Sequence, residues 1–433
     1  MKVSRNIGRH LVWGICFFLF LLVSSQQVAA QEQQVMRIAD SYIIKDGRTL
    51  VPMRAIFETH GAEVSWNATS QKITGKNQNT SVTLEVGNKT ALVNNQKVSL
   101  DVSPVVQNGR TFVPIRFVSE TFGSKVQWDQ ATKTVLVHKN PMILVINNQK
   151  DKVKEFSFQG IQIGDPAILV DTLLAQSQRT SLSRYGFEWK TYHENYQNFI
   201  MVGIQNGAVV GLYSSSASMK SKNGLGVGSS LAQARKILGK PIDRIVKNNM
   251  LFKISSEDGL DYFKQEGYYA TLFYDVHQNT TLTSVLLIDA KVEEAFTHHY
   301  GKAENKLRES YEWQNFDITN ALRVRMGLDP LLWSDPLIKT TRTHSQDMID
   351  RKFFDHTNPD GSSPFDRMSK DGVIYSLAGE NIAMGQFDAI YVHEAWMNSV
   401  GHRKNIVAAF KYLTVGVAFD KDRVPYYTQN FYK

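Results

Sequence analysis

Near its C-terminus the chain reads HEAWMNSVGHRKN at residues 393–405, preceded by GENIA at 379–383 and FDHT at 354–357. Each segment places histidine, glutamate or asparagine, which suit a polar site, beside apolar or aromatic residues, which suit a core. Upstream, residues 316–327 have apolar side chains near helical spacing with a glycine at the end, and two aromatic-rich strands follow the last segment. This pattern of helices and strands predicts an α+β domain over residues 305–433.

In this order the three segments closely resemble the CAP superfamily of cysteine-rich secretory, antigen 5 and pathogenesis-related proteins, over residues 314–433. The resemblance implies an α-β-α sandwich with a cleft where two histidines and two acidic residues meet. Carried onto this sequence, the cleft residues are His356, Glu380 and His402. The position of the second acidic residue holds Ser399, which weakens any mechanism that needs two carboxylates.

A zinc ion is the candidate cofactor of this cleft. His356, His402 and Glu380 are the ligand types of an open zinc site, in which three protein ligands leave one position for a water molecule. Such a water attacks esters or amides, so a metal-dependent hydrolase is one possible function. The His-Glu pair at 393–394 begins like the HExxH motif of zinc proteases, but Met397 stands where the second histidine belongs, so that motif is excluded.

Two further interpretations of the same residues remain open. Ser399 and His402 lie three residues apart, and with Glu380 they have the composition of a hydrolytic triad, although no nucleophile-elbow pattern accompanies the serine. Alternatively the cluster is structural, since buried polar groups need hydrogen-bond partners whether or not they do chemistry. His344, on a predicted helix near the same residues, is expected to have a structural or supporting role.

The front of the chain contains an internal repeat at an offset of 62 residues. DGRTLVPMRA at 46–55 returns as NGRTFVPIRF at 108–117, and GAEVSW at 61–66 returns as GSKVQW at 123–128. Each unit is predicted to form a turn, a short strand, a helix opened by proline, and a further strand. Residues 36–140 therefore form a small repeat-built α+β domain.

This front domain resembles the copper amine oxidase N-terminal-like (stalk) module of bacterial exported proteins. Its only imidazoles are His60 and His138, whereas a copper site needs two or three clustered nitrogen ligands. We therefore interpret residues 36–140 as a spacer or wall-attachment unit without copper chemistry.

A weaker repeat marks the middle of the chain. IQIGD at 161–165 and LGVGS at 225–229 each precede an apolar helical pattern and aromatic strands. Residues 155–292 resemble the CAP-associated domain that often precedes bacterial CAP domains, and we expect their aromatic residues to pack in a core. A linker with scattered charges is expected from His298 to Trp313, with no metal site at its histidine pair.

Residues 1–30 have the form of a signal peptide. Basic residues precede an apolar run at 11–23, and small residues follow at the cleavage position. The only cysteine, Cys16, lies in that run, so the mature chain is expected to have no thiol and no transmembrane segment. Export without disulfides indicates a bacterial, Gram-positive surface.

The chain has a net charge of +8 but no cluster of basic and aromatic residues, so nucleic acid is not an expected partner. We expect a secreted, cell-wall-associated protein whose His/Glu cleft binds a wall polymer or an extracellular peptide or lipid. The alternative is a metal- or serine-dependent hydrolase acting on peptide or cell-wall material.

Overall fold

Each copy of the front repeat folds into a hairpin, a short helix and a following strand. The computed structural model describes residues 33–38, 42–147, 154–254 and 259–433, so the predicted signal peptide and Cys16 lie outside the described residues. The front region (33–147) contains β1 (Gln34–Ile38), β2 (Ile43–Lys45), β3 (Arg48–Pro52), α1 (Met53–Thr59), β4 (Glu63–Asn67), β5 (Lys72–Lys76), β6 (Ser81–Glu85), β7 (Thr90–Val93), β8 (Gln96–Ser99), β9 (Val105–Gln107), β10 (Arg110–Pro114), α2 (Ile115–Thr121), β11 (Lys125–Asp129), β12 (Thr134–Lys139) and β13 (Met142–Asn147).

The two front repeats share one core. Their equivalent strands β3 and β10 pair antiparallel, with Val51 opposite Val113. Ile56 of α1 and Val118 of α2 are both fully buried in the cluster beneath these strands. Pro52 and Pro114 stand immediately before the two helices, where a missing N–H costs no helical hydrogen bond.

The middle region (154–295) is built on a seven-stranded antiparallel sheet in the order β14-β15-β16-β17-β22-β21-β20. Its elements are α3 (Ala167–Leu173), β14 (Arg179–Leu182), β15 (Glu188–Glu194), β16 (Gln197–Gln205), β17 (Ala208–Ser214), α4 (Leu231–Leu238), β18 (Arg244–Lys247), β19 (Met250–Lys253), β20 (Leu260–Gln265), β21 (Tyr268–Asp275), β22 (Thr281–Asp289) and α5 (Ala290–Ala295). One face of the sheet packs on α3 and α4, through Val170 and Ala234. The other face packs on the C-terminal region.

The C-terminal region (300–433) is the α-β-α sandwich that the sequence predicted. Its elements are α6 (Asn305–Arg325), β23 (Leu332–Trp333), α7 (Ile338–Asp350), α8 (Pro364–Lys370), β24 (Ala378–Met384), α9 (Ala389–Met397), α10 (Val400–Val407), β25 (Tyr412–Phe419) and β26 (Pro425–Tyr432). Val415 and Val417 of the central strand β25 face the cluster of α6 and α9. Gly416, between them, faces α7 so closely that a Cβ atom would lie 2.3 Å from the backbone of Thr341.

Helix α6 begins earlier than the sequence analysis predicted. The segment ending at Trp313 was expected to be a linker, but α6 already starts at Asn305. Leu307 and Tyr311 lie four residues apart and are both 1% exposed, so they anchor this first part of the helix in the core. Charged neighbours masked this apolar spacing in the sequence.

Candidate functional site

The candidate site is centred on the carboxylate of Glu380, which lies on β24 and has a side chain only 2% exposed. Its Oε1 atom accepts a hydrogen bond from His356 Nδ1 at 2.9 Å. Its Oε2 atom accepts from Arg367 Nη2 at 2.7 Å and from Asn430 Nδ2 at 3.0 Å. Burial alone would raise the pKa of Glu380, but these partners and the nearby His344 lower it, so the group is an anion in a buried ion pair.

His356 presents one ring nitrogen to the site and one to solvent. Because the anionic Glu380 needs a donor, the Nδ1 atom of His356 carries the proton in this pair. The side chain is 47% exposed, and its Nε2 atom has no partner among the described residues. Arg367 also fixes the backbone here, donating from Nη1 to His356 O at 2.9 Å. The ring is therefore oriented, with Nε2 open to an external group.

His402 lies on α10 beside the same strand. Burial and the nearby charge of His356 lower its pKa, so it is neutral near pH 7. Asparagine side chains hold its helix against β24: Asn381 Nδ2 donates to His402 O at 3.2 Å, and Asn405 Nδ2 donates to Glu380 O at 3.0 Å. The structure thus places His402 on a helix held against the strand of Glu380, and among the described residues the only side-chain hydrogen bond within the predicted set joins His356 to Glu380.

Three further residues complete the surroundings of Glu380, and the sequence analysis missed two of them. His344 is fully buried with its Nε2 atom 3.8 Å from Glu380 Oε1, which agrees with the supporting role expected for it. Arg367 and Asn430 were not predicted. The only signal for Asn430 is that β26 pairs with β24 and places it opposite Glu380, which no local pattern reveals.

The structure does not form the serine arrangement considered above. Glu380 bonds to His356 and not to His402. Ser399 stands at the start of α10, and among the described residues its hydroxyl makes no hydrogen bond to His402. The candidate nucleophile and base are therefore not in contact here.

Glu394, which follows His393 on α9, bonds to the middle region and not to His356, Glu380 or His402. The carboxylate of Glu394 accepts hydrogen bonds from Tyr213 at 3.1 Å and Ser284 at 2.5 Å, both in the middle region. The Nδ1 atom of His393 lies 3.3 Å from the hydroxyl of Thr319 on α6. Burial raises the pKa of Glu394. These residues belong to the contact between the two regions.

Replacement of His393 is expected to make folding less sensitive to acid. Burial and the charge of Arg325 lower the pKa of His393 from 6.5 to about 3. Its neutral ring therefore stabilises the fold fully above the unfolded-state value and loses that contribution as pH falls from 6.5 toward 3. Between about pH 7 and pH 4, wild type should lose about 3 kcal/mol more unfolding free energy than His393→Asn. Urea unfolding at both pH values measures this, and equal losses in the two proteins would contradict it.

The site fits a three-ligand zinc centre only in part. Both oxygens of Glu380 are already used by hydrogen bonds, one of them from the cation Arg367, which opposes a second cation there. Within the part of the chain that the structure describes, no group of three or more His, Cys, Asp or Glu side chains is arranged to hold a metal. This arrangement suits Glu380 better to orienting the ring of His356 than to binding zinc directly.

Comparison with known proteins agrees with the three resemblances drawn from the sequence. Residues 30–137 match the copper amine oxidase N-terminal domain, residues 163–300 the CAP-associated N-terminal model, and residues 316–431 the cysteine-rich secretory protein family. Among the described residues, no helix has the length and apolarity that crossing a membrane requires.

Two proteins of Bacillus subtilis (strain 168) are similar in sequence. The "Uncharacterized membrane protein YlbC" is 29% identical in an alignment of 290 residues, which covers 63% of this chain and 82% of that protein. The "Uncharacterized protein YkwD" is 48% identical over 108 residues, 25% of this chain and only 42% of that protein.

Two solved structures share the fold. An extracellular protein containing an SCP domain from Bacillus anthracis str. Ames is 26% identical, with a TM-score of 0.55 over 66% of this chain and 100% of its own. A cysteine-rich secretory protein from Staphylococcus aureus is 18% identical, with a TM-score of 0.53 over 63% of this chain and 94% of its own, and shows the fold alone.

Proposed function

Because residues 316–431 of this chain form a domain of the cysteine-rich secretory protein (CAP) family, we propose that it is a secreted protein that binds a cell-wall ligand in the His356–His402 cleft. The observation that carries the proposal is the bond between His356 and Glu380, which orients a half-exposed imidazole and leaves its Nε2 atom open. The signal-peptide pattern at 1–30 and the extracellular Bacillus anthracis protein of similar fold support export.

The charges of the cleft indicate what kind of group it recognises. Arg367 neutralises Glu380, so the cleft has no strong net charge with which to attract an ion. His402 is neutral near pH 7 and can donate or accept a hydrogen bond, whereas the open Nε2 atom of His356, whose proton is on Nδ1, accepts one. This chemistry suits hydroxyl and amide groups, which the sugars and peptides of a cell wall present.

Replacement of His356 by alanine is expected to weaken binding of solubilised Gram-positive wall fragments about tenfold, because one buried hydrogen bond to the ligand is lost. Isothermal titration of the full chain with these fragments measures the affinity. The matched control is Ser399→Ala, which removes a hydroxyl from the start of the helix that carries His402 and should leave the affinity unchanged. Added chelator should also have no effect. Equal affinity of His356→Ala and wild type would refute the proposal.

The front region requires a separate control, because it is a candidate wall-attachment unit. The isolated front region, residues 31–150, is titrated with the same wall fragments. If it binds them, its affinity is the background binding that His356→Ala should retain.

A second candidate function is hydrolysis of the same wall peptides or glycans. One observation favours it: an imidazole oriented by a buried carboxylate is the arrangement of a general base. His356 Nε2 would then take a proton from a water molecule as the water attacks. Release of new amines or reducing ends from wall fragments, present in wild type and absent in His356→Ala, would distinguish catalysis from binding alone.

A further inference from the structure

A second cavity, of about 330 Å³, lies between the middle and C-terminal regions. The middle region contributes the end of β17 and the turn between β21 and β22, and the C-terminal region contributes the end of α6 with α9 and α10. None of His356, Glu380 and His402 lines this cavity, so it is separate from the cleft described above. Its volume is at the lower end of the range for small-molecule sites.

Two guanidinium groups with unused donors line the cavity. Arg325 donates from Nη1 to the carbonyl oxygens of Ser215 at 2.7 Å and Thr283 at 2.6 Å. Arg403 donates from Nη1 to Asp275 Oδ2 at 2.7 Å. The Nε and Nη2 atoms of both arginines have no acceptor among the described residues. The hydroxyl of Ser215, a residue only 5% exposed, is also without a partner. The buried hydroxyl of Ser215 thus lacks a hydrogen-bond partner in a wall that both arginines also line.

The charges already present select the kind of acceptor. Asp275 and Glu394 supply two carboxylates against the two arginines, so a doubly charged phosphate would meet more repulsion than a singly charged carboxylate. The planar fork of a guanidinium matches a carboxylate with two parallel hydrogen bonds. The remaining wall is mixed, and its apolar part includes Leu282, Leu322 and Met397.

We propose that this cavity binds a small monocarboxylate with an apolar body. Its carboxylate accepts from Arg325 and Arg403, and its apolar part contacts the leucine and methionine side chains. Such a ligand bridges the two regions and stabilises their contact by binding the folded state alone. The proposal is independent of the His356 cleft, and His356→Ala should bind the carboxylate as wild type does.

Benzoate is the probe, titrated into the full chain by calorimetry against sodium chloride and inorganic phosphate at equal ionic strength. Benzoate should bind one to one, and the other two salts should not. Ala217→Trp fills the cavity from its exposed rim and should weaken benzoate at least tenfold, whereas Lys222→Trp, on the same loop but outside the cavity, should not. Arg403→Lys keeps the charge but loses the fork, and should weaken benzoate about tenfold.

No binding of benzoate to wild type, or binding unchanged by both Ala217→Trp and Arg403→Lys, would overturn the proposal. Binding of phosphate in preference to benzoate would overturn the assignment to a monocarboxylate. If Ala217→Trp does not fold, the comparison of Arg403→Lys with wild type decides alone.

Discussion

The C-terminal region produced alone, as residues 300–433, is expected not to unfold cooperatively, whereas residues 154–433 should. Four of its side chains belong to a core shared with the middle sheet: Ile318, Ala321, Ile390 and Tyr391. Each is at most 7% exposed in the whole chain and would face water in the isolated fragment. Loss of this burial costs roughly 6 kcal/mol, which is comparable to the entire stability of a domain.

Polar contacts across the same interface increase the loss. Arg179 on the middle sheet pairs with Asp317 on α6 at 2.8 Å, where the aspartate side chain is 3% exposed. Asn398, at the corner between α9 and α10, donates to Tyr274 O at 2.9 Å and accepts from Val276 N at 3.1 Å. This corner leads into the helix that carries His402, so we infer that the middle region positions part of the cleft.

Urea unfolding followed by circular dichroism and tryptophan fluorescence tests this expectation on both fragments. Residues 154–433 are the comparison fragment, because among the described residues no hydrogen bond or ion pair joins the front region to the C-terminal region. The fragment does lose the bonds of Arg37 in the front region to Asp165 and Gly160 in the middle region. If residues 300–433 unfolded in a sharp transition at the same urea midpoint as residues 154–433, the interface would contribute little to stability. Metal or ligand titrations should therefore use the longer fragment or the full chain.

The sequence predicted those parts of the fold that depend on local patterns. The front repeats and the two C-terminal strands follow from turn residues and alternation, and the structure contains all of them. The shared core could not be predicted, because residues such as Ile390 and Phe273 are distant in sequence and no local pattern links them. The aromatic strands were correctly expected to pack in a core.

For the site, the family motif located His356, Glu380 and His402 but not their electrostatic setting. The sequence analysis gave Arg367 no role, whereas in the structure it neutralises Glu380 and holds the His356 backbone. Its role depends on the α8 helix returning to β24, a tertiary contact without a sequence pattern. This setting gives Glu380 two hydrogen-bonded partners, His356 and Arg367, that the motif alone does not predict.

Replacement of Glu380 by alanine is expected to lower the free energy of unfolding by about 3–5 kcal/mol, because it leaves the guanidinium of Arg367 buried without its counter-charge. Arg367→Ala should cost a similar amount for the converse reason. The double variant Glu380→Leu/Arg367→Met removes both charges together and should cost much less than the sum of the two single changes. Urea unfolding of the full chain at neutral pH measures all three.

The control for the Glu380 result is an arginine–carboxylate ion pair at the surface. Arg351 pairs with Asp360 at 2.9 Å, but its side chain is 36% exposed and that of Asp360 is 54% exposed. Water solvates both charges there, so Arg351→Ala should change stability little. If Glu380→Ala lost as little unfolding free energy as Arg351→Ala, the guanidinium of Arg367 would be paired with another group or solvated in that variant. The buried ion pair would then not be what holds the ring of His356 in place. Glu380→Gln keeps the shape of the side chain but removes its charge. If Glu380→Ala and Glu380→Gln both lose much stability, the charge and not the packing of Glu380 accounts for the loss.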